Sequence, residues 1–98
     1  MIRKWLAALV LGLCAVHAAA AGRVERVEPL SWWVGMKHDR LQLMVHGDRV
    51  AKLEPALQYT GVAIENVERI ANPNYLFINL RVAADTKPGE FTIDFREG

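Results

Sequence analysis

The side chains with chemistry to offer are few and scattered. His17, His38 and His46 are the three histidines, and only the last two lie in the polar part of the chain. A zinc site needs three or four ligands converging at about 2.0–2.3 Å. With Cys14 the single cysteine, His38 and His46 would need Asp39 or Asp48 to complete such a set, and nothing in the spacing enforces that. His38 reads as a loop residue and His46 as a solvent-facing strand residue, so no metal and no cofactor is expected. The 11 carboxylates stand one by one among basic residues, unlike a glycosidase pair in which an apolar surround raises the pKa of the acid. Ser31 is the only serine, and there is no glycine-rich phosphate loop. No catalytic residues are expected within this chain.

What remains is aromatic. Trp32 and Trp33 are adjacent, so in an extended segment one indole points to each face of a sheet. With Met36, Tyr59 and Tyr75 they are the candidates for contact with a neighbouring domain, or for stacking on sugar rings, since an aromatic face offers area at little entropic cost.

The elements that must position these residues read as strands. Leu41, Leu43 and Val45 alternate with Gln42, Met44 and His46. The clearest strand puts Leu76, Ile78, Leu80 and Val82 on one face and Tyr75, Phe77, Asn79 and Arg81 on the other. Phe91, Ile93 and Phe95 alternate with Thr92, Asp94 and Arg96. Val24 and Val27, three apart before Pro29, suit an edge strand ending at the proline. Arg49 to Glu54 reads as a helical turn or crossover loop closed by Pro55, with a short strand over Ala56–Tyr59. Val62–Ile64 alternates, loses phase at Glu65-Asn66 and regains it at Val67, which predicts a β-bulge. A helix over Val62–Ile70 competes, but it has β-branched residues at its apolar positions and no cap. Gly47-Asp48, Thr60-Gly61, Asn72-Pro73-Asn74 and Asp85–Gly89 read as turns. About six short strands without a confident helix make an all-β antiparallel sandwich, one strand short of the usual seven. The missing strand is expected beyond Gly98, the chain being read as cut through a longer protein.

Residues 1–21 read differently. A basic start (Arg3, Lys4), an apolar run from Trp5 to Val16 and two small-x-small sites in the alanines are the build of a secretory signal peptide, expected as a helix and cleaved after Ala20 or Ala21. The apolar core is too short to span a bilayer of about 30 Å. A lipoprotein anchored at Cys14 is the weaker alternative, because Leu13 is not small. Secretion or periplasmic residence follows, with no membrane attachment after cleavage and a domain over 22–98. The leader removes Arg3 and Lys4 from the 12 basic side chains, leaving 10 against 11 acidic ones. A nearly neutral chain with interspersed signs lacks the electrostatic footprint for nucleic acid. Cys14 leaves too, so packing alone must hold the domain. A domain this short buries only about 60% of its unfolded surface, which suits a module leaning on a larger neighbour.

From Val24 to Phe95 the chain resembles the N-terminal domain of secreted cyclomaltodextrinase and neopullulanase-like enzymes of the α-amylase superfamily (glycoside hydrolase family 13). The likeness is carried by Val27-Glu28-Pro29, Trp32-Trp33-Val34-Gly35-Met36, Leu41-Gln42-Leu43-Met44-Val45, Asn72-Pro73-Asn74-Tyr75-Leu76-Phe77 and Lys87-Pro88-Gly89-Glu90-Phe91. The resemblance implies an immunoglobulin-like sandwich placed before a catalytic (β/α)8 barrel in a periplasmic or extracellular α-glucan hydrolase. It implies no catalysis here, because the acid and the nucleophile of that family lie on the barrel. The expected role is a non-catalytic accessory domain packing on the barrel or a partner subunit and shaping substrate access, with α-glucan or cyclodextrin as a possible ligand. Two alternatives stay open: an independent carbohydrate-binding module for maltooligosaccharides, and a stand-alone periplasmic adhesion or assembly sandwich.

Overall fold

The computed structural model describes residues 5–11 and 23–97. It is built of strands β1 (Trp5–Leu11), β2 (Val24–Glu28), β3 (Ser31–Trp32), β4 (Arg40–Gly47), β5 (Leu53–Leu57), β6 (Val62–Glu68), β7 (Tyr75–Val82) and β8 (Gly89–Glu97), with one short 3-10 turn at Val50–Lys52. They form two four-stranded sheets, β2-β4-β7-β6 and β3-β1-β8-β5. The first sheet is antiparallel throughout, and in the second only the β1–β3 pair is parallel. The fold is an all-β, immunoglobulin-like sandwich.

The period-2 patterns become the two inner faces. Leu41, Leu43 and Val45 on β4 lie in register with Leu80, Ile78 and Leu76 on β7. All six are buried, and they face Phe91, Ile93 and Phe95 of β8 in one continuous core that also holds Val24, Val27, Val50, Leu53, Val62 and Val82. Burying a side chain of this size contributes about 1.5–3 kcal/mol, and with no disulfide among the described residues this core carries the fold.

Two irregularities have a stated cause. Valines three apart cannot both face inward on a regular strand, yet Val24 and Val27 are both buried. The register of β2 on β4 shifts between Val24 and Arg26, and the extra residue turns both valines to the core. The bulge read at Glu65-Asn66 is present as a register shift between Ile64 and Asn66. It brings Ile64 opposite Leu80 and Val67 opposite Ile78.

Two expectations are corrected. The strand read over Ala56–Tyr59 instead begins at Leu53 and runs through Pro55, which lies in register with Phe95. β5 borders its sheet, and an edge strand tolerates a proline because its missing N–H can face away from the ladder. Residues 1–21 were expected as a helical signal peptide, but residues 5–11 form a strand paired with β8 from Phe95 to Gly89. The unpaired N–H and C=O groups of a sheet edge are a template for pairing with an extended segment. The expected cleavage sites and Cys14 lie outside the described residues.

Candidate docking and ligand-contact surfaces

The segment between β3 and β4 carries the two tryptophans to different environments. Trp32, on β3, is half-buried and packs against the core, as does Val34. Trp33 points the other way and is 53% exposed, and Met36 is 42% exposed. Gly35 between them adopts φ +74°, a left-handed turn that suits glycine, and its position is set against Ala84 just beyond β7. The loop therefore presents one indole and one thioether to solvent at the end of β7 where Val82 lies. Tryptophan and methionine are residue types enriched at interfaces.

Tyr59 and Tyr75 do not join this loop. Tyr59 is half-buried, its ring tilted on Phe91 at 5.5 Å between centroids, and its hydroxyl donates to the Lys87 carbonyl at 2.5 Å. It latches the turn after β5 onto the loop before β8. Tyr75 opens β7, and at about 3.3 Å per residue it stands roughly 23 Å from the Val82 end. There it pairs with His46, ring centroids 4.8 Å apart, and His46 Nδ1 lies 3.6 Å from Glu25 Oε1. The five candidates thus occupy three separate places rather than one stacking platform. His38 is exposed in its loop, and among the described residues no three His, Cys, Asp or Glu groups converge on a point that could hold a metal ion.

Pattern reading missed a polar row on the outer face of the first sheet. Gln42 Nε2 donates to Asn79 Oδ1 and to Glu68 Oε2, both at 3.0 Å, and Asn79 Nδ2 donates to Asn66 Oδ1. The row crosses β4, β7 and β6, and shallow depressions of about 450 and 300 Å³ flank it, both touching Gln42. Ile70, 48% exposed, and Phe77 line the first. Chemically the row can hydrogen-bond hydroxyl groups, and it can move no proton. The signal was the shared outward parity of Gln42 and Asn79, but recognising it needed the strand register. The charges nearby are paired at the surface: Arg81 Nε donates to Asp39 Oδ2 at 3.1 Å and Arg40 Nε lies 3.2 Å from Glu65 Oε1. Another depression, about 640 Å³, is open polar surface over β5 and β8 lined by residues such as Gln58, Glu90 and Asp94.

The eight described strands, in two packed sheets with an exposed Trp33–Met36 loop at one end, define a class of domain: an immunoglobulin-like β-sandwich. The sequence model of one family, cyclomaltodextrinase, N-terminal, matches residues 26–98. The chain belongs to that family, the N-terminal domain of cyclomaltodextrinase-type enzymes, a non-catalytic accessory domain of glycoside hydrolases.

Proposed function

We propose that this chain is the docking domain of a secreted or periplasmic α-glucan or cyclomaltodextrin hydrolase. It lays the Trp33–Met36 loop on the catalytic (β/α)8 barrel, or on a partner subunit, and so borders the entrance through which substrate reaches the barrel. The observation that carries this reading is the pairing of a half-buried Trp32 with a solvent-facing Trp33. The first indole roots the loop in the core, and the second offers a large rigid apolar surface outside it. Family membership supports the enzyme class. The sequence of residues 1–21 supports export. Direct sugar stacking is the weaker reading, because Tyr59 and Tyr75 stand apart from the exposed indole.

The two tryptophans give the test. In the parent enzyme, Trp33→Ala is expected to lower thermal stability by an amount equivalent to about 2 kcal/mol or more, the cost of truncating an interface anchor. In this chain by itself the same change should stay within about 0.5 kcal/mol, the range for surface substitutions. Trp32→Ala should destabilise the isolated chain by about 2 kcal/mol or more, because it empties part of a packed site. Denaturant titrations of both variants in both settings check this. An enzyme indifferent to Trp33→Ala in stability and in turnover of large substrates refutes the docking role.

A further inference from the structure

Among the described residues Thr86 is the only polar one that is buried, with 6% of its surface exposed. It lies in the connection between β7 and β8, and connections run over the surface, where a hydroxyl has water for a partner. This one does not use water. Its single proton has two carbonyls within reach, Ala83 at 2.6 Å and Gly61 at 3.1 Å. The Ala83 carbonyl also accepts from Thr86 N–H at 3.0 Å, and the Gly61 carbonyl from Ala83 N–H at 2.8 Å. Residues 83–86 therefore form a turn closed on itself and pinned to the connection between β5 and β6. The fit is close, because a Cβ at Gly61 would meet Thr86 Oγ1 at 2.3 Å.

The pinned turn has a second neighbour. A Cβ built on Gly35 would lie 3.9 Å from the Ala84 carbonyl oxygen, at van der Waals contact. Gly35 is the left-handed residue between Trp33 and Met36, so the loop that bares those two side chains rests on the turn that Thr86 closes. The other end of that loop is tied as well, by Val82 N–H donating to the Asp39 carbonyl at 2.7 Å. Ala84 and Asp85 are themselves exposed, which sets the crest of the turn beside the Trp33–Met36 loop at one end of the sandwich. A surface held in its bound shape before contact binds more tightly, because less freedom is lost on association.

We propose that Thr86 is a positioning residue for the docking loop. Its hydroxyl holds the Ala83–Thr86 turn, and the Ala84 carbonyl of that turn seats Gly35. Trp33 and Met36 are thereby fixed in the orientation that meets the catalytic barrel, with Ala84 and Asp85 completing the contact. This inference rests on the docking reading of Trp33 and extends it to a buried residue that touches no partner itself.

Two measurements test it, one on this chain and one on the parent enzyme. Thr86→Val keeps the shape of the side chain and removes the donor. In this chain it is expected to lower the NMR amide order parameters of Gly35 and Met36 from about 0.85 to below about 0.6, while those of β4 and β7 hold. Thr86→Ser, which keeps the hydroxyl, should retain the parent values. In the enzyme, Thr86→Val should shift the ratio of kcat/KM for β-cyclodextrin over maltotriose in the same direction as Trp33→Ala. The double variant should match Trp33→Ala alone, because residues acting through one contact are not additive, whereas a merely structural role would lower both substrates alike. Unchanged order parameters at Gly35 and Met36 in Thr86→Val overturn the positioning role whatever the enzyme does. A ratio that moves with Trp33→Ala but not with Thr86→Val overturns the proposal alone, and a ratio that moves with neither overturns the docking reading together with it. Should Thr86→Val not fold, Thr86→Ser decides: order parameters like the parent chain's support the proposal, and a loosened loop overturns it.

Discussion

Gly47 closes β4 where the backbone of β2 passes over it. A Cβ built there would lie 1.8 Å from the Arg23 carbonyl oxygen and 2.9 Å from Val50 Cγ1. The obstructing atoms are backbone, so any side chain must push β2 off the sheet and strain the Arg23 carbonyl, which accepts from Asp48 N–H at 3.0 Å. Gly89 is crowded as well, but by the Tyr59 hydroxyl at 2.4 Å, the far end of a side chain that can swing. Its movement would forfeit one hydrogen bond, worth about 1 kcal/mol. Gly47→Ala is therefore expected to cost about 2–3 kcal/mol, the upper range of overpacking, and Gly89→Ala about 1 kcal/mol. Urea titrations of the two variants give the order, and an equal or inverted cost contradicts the account. From the sequence, Gly47 was legible only as a turn residue, because the close approach of β2 joins segments far apart in the chain.

At the scale of elements, the decisive devices are irregularities and pins. The Asn72-Pro73-Asn74 turn is tied inward and outward. Asn74 N–H donates to Asn72 Oδ1, and Asn74 Oδ1 accepts from Arg49 N–H. The Pro73 carbonyl accepts from Ala51 N–H. The turn before β7 is thereby fastened to the turn after β4. Arg69, just past β6, donates to the Ala51 and Leu53 carbonyls at 2.6 and 3.0 Å and meets Glu54 at 2.9 Å. It joins the end of one sheet to the start of an edge strand in the other. The bulge in β6 makes a sharper prediction. Deleting Glu65 leaves Ile64, Asn66 and Val67 in plain alternation, so the core set stays inward and only the bulge and the Arg40 pair are lost. Inserting one alanine after Ile78 instead reverses the faces of Leu80 and Val82 against β4 and β6. The deletion should keep cooperative unfolding at a cost of about 1 kcal/mol, an exposed pair contributing no more than that, whereas the insertion should abolish the folded circular-dichroism signal. A deletion as damaging as the insertion would show that the bulge is required rather than tolerated. The position of this bulge was readable because the apolar phase slipped by one residue. The strand through Pro55 was not, because whether a proline is tolerated depends on which strand lies at the edge.

Across the whole molecule, stability rests on one apolar core between two sheets, while the ion pairs lie on the outside. Arg26–Glu28, Arg40–Glu65 and Arg81–Asp39 are all well exposed on at least one side chain, and pairs of that kind contribute about 0–1 kcal/mol each. Raising sodium chloride to about 1 M shrinks the screening length to about 3 Å, so the free energy of unfolding should change by less than about 1 kcal/mol in total. Denaturant midpoints at low and high salt check this. A loss of several kcal/mol would mean that the Arg23–Glu97 contact between the residue before β2 and the end of β8, or another pair, carries part of the fold.

The amino-acid order alone determined which residues go inside, since period-2 alternation in β4, β7 and β8 needs nothing beyond the pleat of a strand. It also determined the turns, the bulge in β6 and, through the motifs around Trp32 and Asn72, the family. Tertiary structure decided what depends on neighbours. It roots Trp32 and bares Trp33, although either indole has the same intrinsic preference for burial. It separates Tyr59 and Tyr75 by placing one in the turn after β5 and the other at the start of β7, and it assembles the Gln42–Asn79–Asn66 row from three strands. It also makes the apolar run at residues 5–11 the inner strand of a sheet, because backbone pairing is set by which edges stand open and not by the composition of the segment that fills them.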